Sequence, residues 1–228
     1  MSSGGLIYHL RALCYNQASR NALWSQHRTS VEKFLEKWNP PEKTLVLVGP
    51  SGGYSLHESF LQKFETVVAI EPDPIARFIF SKRFSIHVNW VPKALPFHEL
   101  SKFTEMLPEA SAVLFCNLLG QVPLRNLKEL RSQLFKILDG HSWASYHDAL
   151  SGKQVQFDAE LLPSPHRATL AQMKATVYPM VNHGTVVVNA HQAPELFHQF
   201  QGYPHFYWQW RILPKRTHLI EGLFHRNS

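Results

Sequence analysis

The chain has 228 residues, 44% hydrophobic and 18% charged, a balance that fits one globular α/β domain and excludes a disordered or fibrous chain. The formal net charge is +6, but the basic residues are scattered, the densest groups being Lys82-Arg83 and Lys215-Arg216, so charge permits a nucleic-acid partner without pointing to one. Cys14 and Cys116 cannot build a disulfide framework, and no apolar run reaches the roughly 20 residues that span a bilayer. The start, MSSGGLIYHLRALC, lacks a basic segment followed by an apolar block, so a cytoplasmic chain with no membrane partner is expected.

Leu6 to His27 reads as a helix with Leu6, Leu10, Cys14 and Leu23 on one side. Thr29 and Glu32 then form a capping box for a second helix, which carries Phe34, Leu35 and Trp38 and is stopped by Asn39-Pro40-Pro41. Residues 1–40 are therefore expected to be a helical lead to a core at 41–150, with a further segment at 151–228, all in one domain.

Thr44 to Val48 is a short apolar run suited to a strand buried on both faces. Gly49, Gly52 and Gly53 follow, where the backbone must turn or let something approach. Tyr54 to Phe64 is expected as a helix and Thr66 to Ile70 as a second strand, with Glu71 at its carboxyl end. An acid at that tip, about 20 residues beyond the glycine turn, is how nucleotide-binding α/β sheets hold a ribose. The turn is not a dinucleotide fingerprint, since Ser51 and Tyr54 stand where Gly-x-Gly-x-x-Gly needs glycines, and no lysine completes a Walker loop.

The segment VLVGPSGGYSL followed by VVAIEPDP resembles the first two motifs of class I S-adenosylmethionine-dependent methyltransferases. The resemblance implies a Rossmann-like seven-stranded methyltransferase sheet, mostly parallel with a C-terminal antiparallel hairpin and flanked by helices. It also implies S-adenosylmethionine as cofactor, with Gly49, Ser51, Gly52 and Gly53 as the loop beneath it and Glu71 on its ribose. Leu47 stands where the family often carries an acid, and VPKALPF after the third strand offers no adenine-side acid. Both departures fit an alternative, a methyltransferase-fold binding protein without transfer chemistry. A second alternative uses Gly49-Pro50-Ser51-Gly52-Gly53 as the Gly-x-Ser-x-Gly elbow of an α/β-hydrolase, with Ser51 as nucleophile and Asp148 and His183 as partners. That elbow normally follows several strands, whereas this one follows the first.

Asp73 and Pro74 open a helix to Phe84 with Ile75, Phe78 and Ile79 inward, and Ile86 to Trp90 alternates as a third strand. Ser111 to Cys116 is the fourth strand, and Asn117 at its end is expected beside the Gly49 turn, across the point where strand order reverses. Pro123 starts a helix through Leu127, Leu130, Leu134 and Leu138. Ser142 to Tyr146 is the fifth strand, with His147 and Asp148 at its tip. His147 is the expected base for an acceptor hydroxyl or amine, with Asp148 as its partner or substitute. A short helix near Arg167 to Lys174 and a strand at Thr185 to Asn189 follow, with His183 and His191 as candidate substrate contacts. Phe206 to Leu213 and His218 to Phe224 flank Pro214-Lys215-Arg216-Thr217 as a hairpin, the expected end of such a sheet. The 14 histidines show no His-Glu-x-x-His or other metal spacing, so no metal site is expected. The expected acceptor is a small molecule or a protein side chain.

Overall fold

The computed structural model describes residues 5–16, 23–93, 103, 105–119, 134, 136, 138–157, 168–180, 186–191 and 202–227. Helices α1 (Gly5–Asn16) and α2 (Ser25–Trp38) lead into strand β1 (Thr44–Val48), a short helix α3 (Glu58–Leu61) and strand β2 (Thr66–Ile70). Helix α4 (Pro74–Arg83), β3 (Val88–Val91), β4 (Ser111–Cys116) and the long β5 (Trp143–Lys153) follow. Next come β6 (Val155–Phe157), α5 (Leu170–Ala175), β7 (Val177–Pro179), β8 (Val188–Ala190) and the hairpin β9 (His205–Leu213) and β10 (Arg216–His225).

The main sheet runs β3-β2-β1-β4-β5-β10-β9. The first five of these strands pair in parallel, and β10 inserts antiparallel between β5 and β9. Strand β8 adds to the far end of β5, Leu150 opposite Ala190, which makes eight strands where seven were expected. Strands β6 and β7 form a separate ribbon.

Alternation sorts the core onto two faces. Leu45 and Leu47 of β1 join Ala112 and Leu114 of β4, Trp208 and Trp210 of β9 and Val31, Phe34, Leu35 and Trp38 of α2 in one cluster. Val46 and Val48 face the other way, with Val113, Phe115, Trp143, Leu134 and Leu138. On the first face α2 is pinned to the hairpin: Trp38 Nε1 donates to the His225 carbonyl at 3.1 Å, and Phe34 packs against Trp208 and Phe224. Each such fully buried large apolar side chain contributes about 1.5–3 kcal/mol.

Several local expectations are corrected. Helix α2 begins at Ser25, not Thr29, and its N-cap Trp24 makes no side-chain cap bond. His27, Val31, Phe34, Leu35 and Trp38 form one buried stripe at helical spacing, and that stripe outweighs the local capping signal. Asn39, in the left-handed region at φ 34°, ends the helix just before the prolines. Helix α3 is four residues rather than the predicted Tyr54–Phe64, because Gly53 to His57 are taken up by a turn. In α4 it is Ala76 and Phe80 that are buried, while Phe78 is exposed. Strand β5 does not stop at Tyr146 but runs on to Lys153, because β10 continues to pair with it after β4 has ended.

Candidate functional site

Gly49 N–H donates to the Ile70 carbonyl at 3.0 Å, and the chain then turns with Gly49, Ser51 and Gly53 at positive φ (65°, 52° and 66°). The Glu71 carboxylate ties this turn: Oε2 accepts from Ser51 N–H at 2.9 Å and Oε1 from Asp73 N–H at 3.0 Å. Burial pushes the Glu71 carboxyl up from its usual range, against the lowering by those two hydrogen bonds. A carboxylate offers about four lone-pair sites, so each oxygen keeps capacity for a further donor such as a hydroxyl.

The glycines divide in role. A Cβ on Gly49 would meet only Leu118, at an ordinary 3.5 Å. A Cβ on Gly53 would lie 2.4 Å from Phe84 and on Gly52 2.7 Å from Tyr54. The space beside Gly52 and Gly53 is thus filled by the protein's own rings, and their smallness serves packing of α4 on the turn.

Helix α1 caps the same turn. Tyr8 hydrogen-bonds the Ser51 side chain, and burial pushes its phenol up to about 12. His9 bridges Tyr54 Oη at 2.8 Å and Asp73 Oδ2 at 3.0 Å. The helical lead therefore covers the glycine turn. The Ser51 side chain meets a phenol rather than an imidazole, so the arrangement does not build a serine hydrolase.

Across the reversal in strand order, Asn117 sits at positive φ (51°) beyond β4. Its N–H donates to the Tyr146 carbonyl at 2.9 Å and its Oδ1 accepts from Asp148 N–H at 3.1 Å. His147 and Asp148 stand inside β5, not at a tip, and point to opposite faces. His147 is wholly buried, 3.1 Å from Ser145 Oγ and 3.3 Å from Glu221 Oε2. Glu221 also accepts from Tyr207 Oη at 2.7 Å and lies 3.1 Å from His205 Nδ1. This buried network holds His147 on the face of β5 opposite Asp148.

Asp148 faces α1 and α2 instead. Its Oδ2 lies 3.0 Å from His218 Nδ1, and His191 completes a group whose ligand atoms lie within 4.8 Å of one another. Burial alone would raise the Asp148 carboxyl; His218, His191 and His27 outweigh it and hold it below its usual range. His27 lies in the same region, its Nδ1 accepting from Trp208 Nε1 at 3.0 Å and its Nε2 at 2.9 Å from Ser55 Oγ. His183 falls outside the described residues. A cavity of about 460 Å³, lined by Gln26, Gln156, Gln209 and Arg211, opens near the hairpin rather than over the glycine turn.

The structure thus brings together Gly49 to Gly53 with Glu71, and Asn117 with Asp148 and His191. Tyr8, His9, His27 and His218 were not singled out from the sequence. Each sits on an element read as packing, and only the long-range pairing of helix or strand reveals its neighbours.

No protein-family model matches the chain, and no curated protein is similar to it in sequence. Solved structures are similar in fold. A magnesium protoporphyrin IX methyltransferase from Synechocystis, solved with S-adenosylhomocysteine bound, is 8% identical, with 96% of this chain and 95% of that one covered at a TM-score of 0.53. A SAM-dependent methyltransferase from Anabaena variabilis is 15% identical, covering 95% and 92%, at 0.52. The N-methyltransferase NodS from Bradyrhizobium japonicum is 10% identical, covering 91% and 99%, at 0.51. The chain has the Rossmann-like fold of class I methyltransferases. Its strand order, with β10 antiparallel between β5 and β9, is the feature that carries this assignment.

Proposed function

We propose that the protein is an S-adenosylmethionine-dependent methyltransferase acting on a small-molecule or protein acceptor. The single observation that carries this reading is the Glu71 carboxylate, fixed by Ser51 and Asp73 N–H groups at the carboxyl end of β2 with lone pairs left for a diol. In this reading Gly49, Ser51, Gly52 and Gly53 form the loop at the cofactor, with Glu71 on its ribose. Asn117 borders the methyl group from across the point where strand order reverses. A methyl sulfonium supplies a reactive carbon without further activation. The protein's contribution is in-line positioning of the acceptor atom and, for a hydroxyl or amine, removal of its proton.

The expected base is Asp148 rather than His147. Asp148 shares a face of β5 with the helices over the turn and is held ionised, whereas His147 is turned into the Glu221 network. His191, half-buried beside Asp148, is the candidate acceptor contact. Proteins similar in fold differ in what their names say they methylate, nitrogen for the N-methyltransferase NodS and magnesium protoporphyrin IX for the Synechocystis protein, so the acceptor is left as a class. A cytoplasmic location belongs to the same reading. Among the described residues no helix is long and apolar enough to cross a membrane.

Calorimetric titration with S-adenosylmethionine and S-adenosylhomocysteine tests the proposal. Micromolar binding is expected, weakened about 10- to 150-fold in Glu71→Ala, the range for loss of a hydrogen bond to a charged group. Leu47, in place of an acid, favours a second reading, a binding protein that keeps the fold without the transfer chemistry. Absence of binding by the natural chain would sink the first reading and leave the second.

A further inference from the structure

Among the described residues, four of the nine buried side-chain atoms without a hydrogen bond gather in one place. Asp148 Oδ1, both ring nitrogens of His218 and His191 Nε2 are buried and make no hydrogen bond. Asp148 and His218 are 6% and 5% exposed, so bulk solvent does not reach them. His218 Nδ1 and Asp148 Oδ2 approach to 3.0 Å as an ion pair, which leaves Asp148 Oδ1, His218 Nε2 and His191 Nε2 with capacity to spare. Each unsatisfied buried polar atom costs about 1–3 kcal/mol, so several of them facing one point call for a further partner. One ligand atom from each lies within 4.8 Å of the others. Ligands of a tetrahedral zinc ion, at about 2.0–2.2 Å from the metal, stand about 3.3–3.6 Å apart, so the group needs to close by about 1.5 Å at most.

The supports are rigid. Asp148 stands on β5, its N–H held by Asn117, beside the register shift where β5 and β10 pair Leu150 with Leu219 and then Asp148 with Ile220. His218 is on β10 opposite Ser151, and His191 follows β8 with its N–H on the Ala149 carbonyl at 3.0 Å. His191 is the half-buried member and marks the side from which an ion enters.

The geometry points to a mononuclear site for a divalent transition-metal ion of the zinc class, ligated by Asp148, His191 and His218. Two imidazoles and one carboxylate are the donor set for such an ion, and three protein ligands leave a coordination position open. That position would be available to water or to an oxygen of an acceptor. Only this last role rests on the methyltransferase reading. With the ion bound, Asp148 acts as ligand, and a metal-held acceptor hydroxyl would release its proton to solvent.

The test is calorimetric titration of the chelator-treated full chain with zinc, without S-adenosylmethionine, so that its outcome is separate from that of the cofactor titration. One equivalent is expected to bind with micromolar or tighter affinity. Asp148→Asn, His191→Ala and His218→Ala should each weaken it at least tenfold, while His87→Ala, on the exposed surface, should leave it unchanged. His191→Ala removes only a half-buried ring at an edge strand, and a melting curve establishes that it folds. The visible spectrum of the natural chain with cobalt gives a second readout: strong bands of a four- or five-coordinate ion are expected. A weak hexaaqua-type spectrum, or zinc binding unaffected by His191→Ala, would overturn the proposal.

Discussion

The two halves of the sheet solve burial differently. In β1, β2 and β4 nearly every side chain is apolar, and polar groups appear only where the strands end, as Glu71 and Asn117 do. In β5, β9 and β10, Ser145, His147, Asp148, His205, His218 and Glu221 are buried within the strands themselves. Parallel strands covered on both faces have little use for internal polarity. The antiparallel half extends beyond β4, so its polar side chains must satisfy one another. The Glu221 group does so with His147, His205 and Tyr207, and the Asp148 group on the opposite face does not. A hydrogen-bonded network specifies the core, whereas one with atoms to spare is where a ligand is expected.

The largest expected effect breaks the Glu221 network. Glu221 is wholly buried against His147, His205 and Tyr207, so Glu221→Ala removes the carboxylate that two imidazoles and a phenol face and should cost about 3–5 kcal/mol by urea unfolding. A loss under about 1 kcal/mol would mean that the antiparallel half is held by its apolar contacts alone. The counterpart in the parallel half is Gly53→Ala. The added Cβ meets Phe84 at 2.4 Å and the residue sits at φ 66°, so strain and overpacking together should cost about 2–4 kcal/mol. An unchanged midpoint would show that α4 yields to the turn.

This contrast also sets what was legible in the sequence. Strands β1, β2 and β4 were read correctly, because a strand buried on both faces writes itself as an uninterrupted apolar run. The places of Glu71 and Asn117 at strand ends are legible for the same reason: a polar residue straight after such a run stands at its end. His147 and Asp148 were misread as such an end. Strand β5 continues through them because its partner β10, some 70 residues later, supplies the hydrogen bonds and the buried counter-groups. His218 lay hidden in the terminal hairpin, since its distance to Asp148 depends on register across β5 and β10. Helix α2 was started late because the buried stripe from His27 is completed by contacts with β9 and β10, which no local signal encodes.

His27 joins the two halves, and its titration gives the smallest and most specific test. Trp208 Nε1 donates to its Nδ1, so the neutral ring carries its proton on Nε2 and donates that to Ser55 Oγ. A second proton, on Nδ1, would face the Trp208 N–H. Burial lowers the His27 pKa from 6.5 to about 3, a shift opposed by Asp148 and reinforced by His218. Between those values the unfolded chain binds a proton that the folded chain refuses. The stabilisation is therefore complete above pH 6.5 and is lost as the pH falls towards 3, at about 1.4 kcal/mol per pH unit from this residue. His191 and His57, also lowered by burial, add in the same direction. Glutamine can accept from Trp208 and donate to Ser55 without titrating. Denaturant unfolding at pH 7 and pH 5 should thus give a smaller difference for His27→Gln than for the natural chain. Equal differences would mean that His27 charges freely in the folded state, and that α2 is docked on the hairpin more loosely than its bonds imply.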